Sequence, residues 1–206
     1  MSQRVVASTT HRRNHSPVSP LLIALRRPAF IILPLLVLFA VGACSDSGLL
    51  PIGERSKGST LIIGIEDIAR VHEIRFLGTD QNHYRVVPAN RANELVVMRL
   101  FVFNQDSTKV VMTVDEEAAE LRGVETNEVY KPLNLYLSGE ELAGKENVTV
   151  VQESHPAENR YSPIIAGPIE LPQNNSVDGW MVFEVPKGAK IREMRWDAGD
   201  TVFIRS

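Results

Sequence analysis

Apolar and polar residues between positions 60 and 206 form short blocks that are typical of β-strands. The longest apolar block covers 94–104, and at about 3.3 Å per residue it is long enough to cross a whole β-sandwich. The other blocks are shorter and end at turn residues or at Pro186, which cannot donate a hydrogen bond to a sheet. Strands are therefore predicted at 60–65, 94–104, 109–114, 180–185, 191–196 and 201–204.

Two of the connections predict hairpins. One is the turn at 105–107 and the other is the turn at 197–200. Only 115–121 carries a pattern compatible with a turn of helix. Short strands without intervening helices favour an all-β, antiparallel β-sandwich, and the 147 residues of 60–206 are enough for one domain with its own core.

A different pattern precedes this domain, namely 16 uncharged and mostly apolar residues at 28–43. A helix of that length reaches roughly 24 Å, less than a hydrocarbon core of about 30 Å, and Pro34 weakens it further. Arg26 and Arg27 precede the run and no basic residue follows directly, which predicts a cytoplasmic amino terminus and an exported remainder. We predict that 1–43 is a signal peptide, with an uncleaved helical anchor as the alternative.

The apolar run ends in Val41, Gly42, Ala43 and Cys44. This sequence resembles the lipobox of bacterial lipoproteins, in which the cysteine is acylated and becomes the new amino terminus. The resemblance implies signal cleavage between Ala43 and Cys44, lipidation of Cys44, and a lipid-anchored position on the extracytoplasmic face of the cell membrane. Cys44 is the only cysteine of the chain, so it forms no intramolecular disulfide.

Residues 44–59 are rich in Gly, Ser and Pro and show no hydrophobic period, so we predict a flexible tether there. The predicted organisation is therefore a signal or anchor at 1–43, a lipidated cysteine and tether at 44–59, and one β-sandwich at 60–206. The segment 1–44 contains five arginines and no acidic residue. The remainder has 17 basic and 25 acidic residues, a charge of −8, which argues against nucleic acid as a partner.

Three segments of the predicted domain resemble the telokin-like, immunoglobulin-like domain of unknown function found in bacterial lipoproteins. They are ELVVMRLFVFNQDSTKVVM, AELRG and GWMVFEVPKGAKIREMRW. Asn104 at the end of a long strand and the stop at Phe183, Glu184, Val185 and Pro186 match features of that family. The resemblance implies an immunoglobulin-like sandwich and no catalytic residues. The stretch 123–178 departs from the family pattern as a long insert.

Motifs that would indicate chemistry are incomplete. The segment 139–145 has the spacing of a phosphate-binding loop, but Glu146 replaces the hydroxyl residue that would hold magnesium. His72 and Glu73 begin a zinc-protease motif whose second histidine is replaced by Phe76. We therefore predict no catalytic, cofactor or metal site.

The remaining polar and aromatic candidates are expected to have structural roles. Single histidines such as His83 and His155 have no second ligand at metal spacing, and the acidic residues at 115–120 lack the pattern of a calcium loop. Core packing is the expected role of Trp180, Trp196 and Tyr161.

These features favour a non-enzymatic module that binds a protein or another cell-envelope component through loops or a strand edge. One alternative is an extracytoplasmic enzyme or small-ligand binder that uses 123–178 as a lid, with His155 or carboxylates in a pocket beneath it. Another alternative is a single-pass membrane protein held by an uncleaved signal anchor.

Overall fold

A computed structural model describes residues 50–125, 128–136, 148–151 and 160–205. The predicted signal segment 1–43 and its helical anchor lie outside these residues, as do Ala43 and Cys44. No helix among the described residues is able to span a bilayer. The described part of the chain forms strands β1 (Arg55–Lys57), β2 (Leu61–Val71), β3 (Ile74–Leu77), β4 (His83–Val86), β5 (Asn93–Asn104), β6 (Lys109–Val114), β7 (Ala119–Gly123), β8 (Val129–Tyr130), β9 (Val148–Val151), β10 (Gly167–Pro172), β11 (Ser176–Pro186), β12 (Ile191–Trp196) and β13 (Val202–Arg205).

The centre of the fold is an antiparallel sheet with the strand order β1-β2-β5-β11. Strand β5 lies between β2 and β11 and pairs with both along almost its whole length. Twelve residues at about 3.3 Å each make it the longest strand described. The apolar block predicted at 94–104 is therefore confirmed as a central strand.

One face of this central sheet packs on two smaller sheets, with the orders β10-β6 and β13-β12-β7-β8. Alternate residues of β5, namely Val96, Met98, Leu100 and Val102, enter this core together with Trp196. The arrangement is a β-sandwich, so the predicted all-β antiparallel fold is confirmed. The predicted hairpin between β12 and β13 is confirmed as well, because these strands pair directly across the turn at 197–200.

The other face of the central sheet has a second cover, the three-stranded sheet β3-β4-β9. Leu95 and Val97 of β5 enter this second core with Phe76, Tyr84 and Trp180. All four residues from Leu95 to Met98 are buried, which explains why this part of the sequence is a continuous apolar run rather than an alternating one. At this end of the central sheet the domain thus has three layers instead of two.

The hairpin predicted at 105–107 is wrong. Strand β6 does not pair with β5 but crosses to the other sheet and pairs with β10. Asn104 fixes the corner: its Nδ2 donates to the carbonyls of Ser107 (2.8 Å) and Leu171 (2.9 Å), and its Oδ1 accepts from the Ser107 amide (3.0 Å). A fully buried asparagine satisfies three backbone groups where the chain changes sheets.

Two further predictions need correction. The described parts of 123–178 are not an insert outside the sandwich, because β8, β9 and β10 are strands of three different sheets. The helical turn considered at 115–121 is only a tight turn, closed by a hydrogen bond from the Ala118 amide to the Asp115 carbonyl, and β7 begins directly after it.

The tether predicted at 44–59 is wrong from Leu50 onward. Leu50 is 3% exposed and lies in the main core, and β1 pairs with β2 from Arg55 to Lys57. From Leu50 onward the chain is therefore part of the sandwich, and the remaining tether residues lie outside the described part. A strand of only three residues at a sheet edge, Arg-Ser-Lys, carries too little hydrophobic pattern to be recognised from sequence.

Truncating Leu50 tests this boundary. We expect Leu50→Ala to lower the free energy of unfolding by about 2 to 4 kcal/mol, because it removes buried methyl groups next to Val96 and Ile191. Ile52→Ala is the matched control, since Ile52 is 52% exposed and should cost less than about 0.5 kcal/mol. Urea unfolding followed by tryptophan fluorescence measures both. Equal effects for the two variants would mean that Leu50 is not part of the core.

Candidate interaction surface

The second cover does not extend along the whole central sheet. Leu95 and Val97 are buried under it, whereas Arg99, next on the same face, is exposed. Phe101 and Phe103 continue this face, belong to neither core and remain partly exposed. The face is therefore dry at one end of β5 and open to solvent at the other.

A β-bulge in β2 brings suitable neighbours to the open end. Before the bulge, Ile62 pairs with Phe103 and Gly64 with Phe101; after it, Asp67 pairs with Arg99. The extra residue is Glu66, and it resets which side chains of β2 face each cover. Without it, either the apolar residues before the bulge or those after it would point to the wrong side.

We call the group Arg55, Ile62, Phe101 and Phe103 the open face. The two phenylalanine rings stack with their centroids 6.4 Å apart and their planes 9° apart. The guanidinium of Arg55 lies 4.0 Å from the centroid of Phe101 and also pairs with Glu66. Cation–π contact and stacking hold an aromatic surface in one conformation before any partner binds.

Gly64 allows this arrangement because it lies between Arg55 and Phe101 in the sheet. A Cβ atom at Gly64 would come within 2.3 Å of the Arg55 guanidinium and 2.8 Å of the Glu54 carbonyl. Only a glycine lets the arginine side chain cross β2 and reach the ring on β5.

Charged pairs surround the open face. Arg99 binds Asp178 through two parallel hydrogen bonds of 2.8 and 3.0 Å, and this carboxylate raises the pKa of Arg99. Next to Ile62, on the edge strand β1, Lys57 pairs with Asp106 at 3.5 Å. An aromatic centre with an arginine-containing polar rim is the usual composition of a protein interface.

Two grooves elsewhere on the domain are too small to be ordinary small-molecule sites. One of about 170 Å³ is lined by apolar groups that include Phe76, Leu135 and Ile164. The other, of about 200 Å³, lies between Tyr130 and the turn at 186–190. Both are smaller than the roughly 300 to 1,000 Å³ of ordinary ligand pockets.

The residues considered as metal ligands or catalytic groups do not come together in the described part of the chain. No three of its His, Asp or Glu side chains form a group that could hold a metal. His72 is exposed after β2, and His83 lies in β4 on the second cover. His155 lies outside the described residues, as does the segment 139–145 with its phosphate-loop spacing.

The acidic cluster at 115–120 is engaged with polar and basic neighbours. Lys131 pairs with Glu117, and Asn134 donates to Glu116 at 3.0 Å. Arg122 pairs with Glu120 at 3.1 Å. The contacts of Lys131 and Asn134 tie the turn before β7 to the segment after β8, which is a structural role.

Trp180, Trp196 and Tyr161 pack in the cores as expected. Trp196 is fully buried, and its indole donates to the Ala198 carbonyl at 2.7 Å. Trp180 meets Tyr161 edge to face at 5.0 Å between ring centroids. Phe101 and Phe103, by contrast, remain partly exposed on the open face, although the sequence places them in the long apolar strand predicted at 94–104. The charged Arg99 in the middle of that strand was the available sequence signal that one face opens.

An ion-pair network stabilises the second cover. Glu73 lies between Arg85, at 2.7 Å, and Arg75, at 3.0 Å. The hydrogen bond from Arg85 holds the pKa of the Glu73 carboxyl below its usual value. Because this carboxylate is favoured in the folded state, its contribution is present at neutral pH and is lost as the pH falls through its folded pKa.

No protein-family model matches this chain, and no curated protein matches it in sequence. Among solved structures it is similar to the yjhA protein of Bacillus subtilis, at 14% identity and a TM-score of 0.44, over 72% of this chain and 81% of that chain. The candidate lipoprotein ycdA of Bacillus subtilis gives 15% identity and 0.40, over 74% of this chain and 38% of that chain. A β-sandwich protein of Clostridium difficile 630 gives 10% and 0.38, over 72% and 85%.

Superpositions with TM-scores below 0.5 are too loose to support a functional argument. The β-sandwich assignment therefore rests on the strands and cores described above. The telokin-like resemblance and the lipobox remain predictions, since neither a family model nor a curated relative bears on them.

Substituting Gly64 tests how the open face is held. We expect Gly64→Ala to move the Arg55 guanidinium off the Phe101 ring, because the new methyl group occupies its path. The upfield ring-current shift of the Arg55 δ-protons, measured by NMR, should disappear. Phe101→Leu should abolish the same shift because the ring is removed, while the Arg55 side chain keeps its path across β2. An upfield Arg55 shift that persists in Gly64→Ala would contradict the proposed crossing.

Substituting Glu73 tests the ion-pair network. We expect Glu73→Gln to be less stable than the unchanged chain at pH 7 by less than about 1 kcal/mol, since the network is partly exposed. The difference should shrink as the pH falls below the unfolded pKa of about 4.3, and it should vanish once the pH is below the lowered folded pKa. Urea unfolding over a series of pH values from 7 downward measures it. A difference that persists at low pH would point to lost packing.

Proposed function

We propose that this chain is an extracytoplasmic lipoprotein whose β-sandwich is a non-enzymatic module that binds another protein. Acylated Cys44 attaches it to the cell membrane, and the open face forms the contact. The observation that carries the binding proposal is the partly exposed aromatic surface of Arg55, Phe101 and Phe103, where the second cover ends.

The chemistry of the open face supports a protein partner. Its stacked rings offer apolar area that loses little side-chain entropy on binding, because their neighbours already fix them. The mixed charges of Arg99, Asp178 and Lys57 at the rim suit a polar protein surface. A net charge of −8 after residue 44 disfavours a nucleic acid phosphate backbone.

The anchoring proposal rests on the order of segments in the sequence. The apolar run at 28–43 ends directly in the lipobox-like residues before Cys44, and the sandwich begins at Leu50. One acyl chain binds a bilayer only marginally, so the two or three chains implied by the lipoprotein resemblance are what would make attachment stable. An uncleaved anchor at 1–43 would display the same domain and is the alternative.

Intact mass spectrometry of the chain extracted from membranes tests the anchor. We expect a mature chain that begins at Cys44 and carries acyl groups, and we expect this species to be absent from the Cys44→Ala variant. A full-length chain without added lipid would refute lipidation and leave the signal-anchor alternative.

A photoreactive phenylalanine analogue tests the contact surface. Placed at position 103 in intact cells, it should give one discrete protein adduct, and adding Phe101→Ser to the same chain should remove most of that adduct. The same analogue at position 203 is the control, because Phe203 is also an exposed aromatic residue but lies on β13 in another sheet. Equal adducts from both positions, or none from position 103, would contradict the proposed contact surface.

A further inference from the structure

The chain enters the sandwich near one end of the central sheet. Going back from Lys57 to Arg55, it runs along β2 from Ile62 to Gly64. It then bridges to Ile65 at Ile52 and reaches the neighbourhood of Arg70 at Leu50. Its direction therefore leads towards the end of β5 that begins at Asn93.

Three loops meet at that end, and we call them together the entry end: 87–92, 123–125 and 186–190. Arg70, next to Leu50, donates to the Ala189 carbonyl and pairs with Glu94. The Lys187 amide donates to the Ala92 carbonyl at 3.1 Å, and the Val124 amide donates to the Lys190 carbonyl at 2.8 Å. The loops are thus fixed to one another and to the strand beside Leu50.

The entry end exposes basic side chains. Arg91 and Lys187 are exposed and have no ion pair among the described residues, and the Lys187 ammonium donates to the Arg91 carbonyl at 2.9 Å. Lys190 has only a distant partner, Glu125 at 3.9 Å. Val124 adds an apolar side chain that is 46% exposed. Cations with a nearby apolar group suit a surface of anionic lipid headgroups.

Chain length limits how far this end can lie from the lipid. Six residue steps separate Cys44 from Leu50, and fully extended they span about 20 Å at most. Leu50 lies beside Val96, which is three residues, about 10 Å, from the start of β5 at Asn93 and eight residues, about 26 Å, from its far end at Asn104. A lipid on Cys44 would therefore hold the entry end nearer to the bilayer than the far end.

We propose that the entry end docks on an anionic phospholipid surface through Arg91, Lys187 and Lys190. This inference rests on the proposed anchoring. It gives the domain a fixed direction: the corner at Asn104 points outward, and the open face, at that half of the sheet, stands clear of the headgroups where a partner can reach it.

Quenching by a headgroup-attached nitroxide measures this orientation. The full chain, extracted from membranes, is reconstituted in phosphatidylcholine vesicles with and without phosphatidylglycerol. A thiol-reactive fluorophore is placed on Ala89→Cys at the entry end or on Gln173→Cys at the far end; both positions are exposed and uncharged. The parent chain reports any labelling of Cys44 itself.

We expect several-fold stronger quenching at position 89 than at position 173 in vesicles with phosphatidylglycerol. Adding Arg91→Gln and Lys187→Gln should reduce the signal at 89, since each removed charge weakens contact about fivefold. Lys57→Gln with Lys109→Gln, which removes two basic residues at the far end, should leave it unchanged. Equal quenching at both positions, or no effect of phosphatidylglycerol, would overturn the proposed docking.

The mass of the same preparation separates this inference from the proposed function. Acylated Cys44 with equal quenching would refute the docking and leave the lipoprotein assignment intact. An unmodified full-length chain would refute lipidation, and quenching would still decide the orientation because the chain enters the domain at Leu50 in either case.

Discussion

Burial of β5 on both faces is the constraint on which the rest of this domain depends. The four residues from Leu95 to Met98 leave no side of the strand that tolerates water, so each face needs its own cover. The sheets built from β6, β7, β10, β12 and β13 cover one face, and β3, β4 and β9 cover the other. A two-layer sandwich would leave Leu95, Val97 and Trp180 exposed.

The open face follows from where that requirement ends. Beyond Arg99 the strand alternates again, with Leu100 and Val102 in the main core and Phe101 and Phe103 outside it. The bulge at Glu66 shifts the register of β2, so that its side chains match those of β5 both before and after this change. Asn104 then turns the chain into the opposite sheet with three hydrogen bonds. One half of β5 is therefore buried on both faces and stabilises the domain, and the other half carries the candidate binding surface.

The sequence contains enough information for the fold class and for six of the thirteen described strands, namely β2, β5, β6, β11, β12 and β13. Strong apolar runs bounded by turn residues mark β5, β6, β11 and β12, because side-chain period and length decide such elements locally. The partner of β6 is not a local property: a polar turn at 105–107 fits both a hairpin and a sheet change. What decides is the buried amide of Asn104 and its bond to Leu171, 67 residues away.

The candidate surface was harder to predict for a related reason. Phe101 and Phe103 have the composition of core residues, and only the extent of the second cover leaves them accessible. That cover includes β9, which begins beyond residue 147 in the sequence. Leu50 and β1 were missed because their segment is dominated by Gly, Ser and charged residues. In each case a distant part of the chain sets the environment of a short local segment.

Hydroxyl-radical footprinting read by mass spectrometry tests the central claim most directly. If the second cover ends before Phe101, Phe101 and Phe103 should be oxidised readily while Trp180, Phe183 and Tyr84 are protected in the folded chain. Protection of Phe101 and Phe103 equal to that of Phe183 would show that this end of the sheet is covered as well. Rapid oxidation of Trp180 would show that the second cover is not packed on the central sheet.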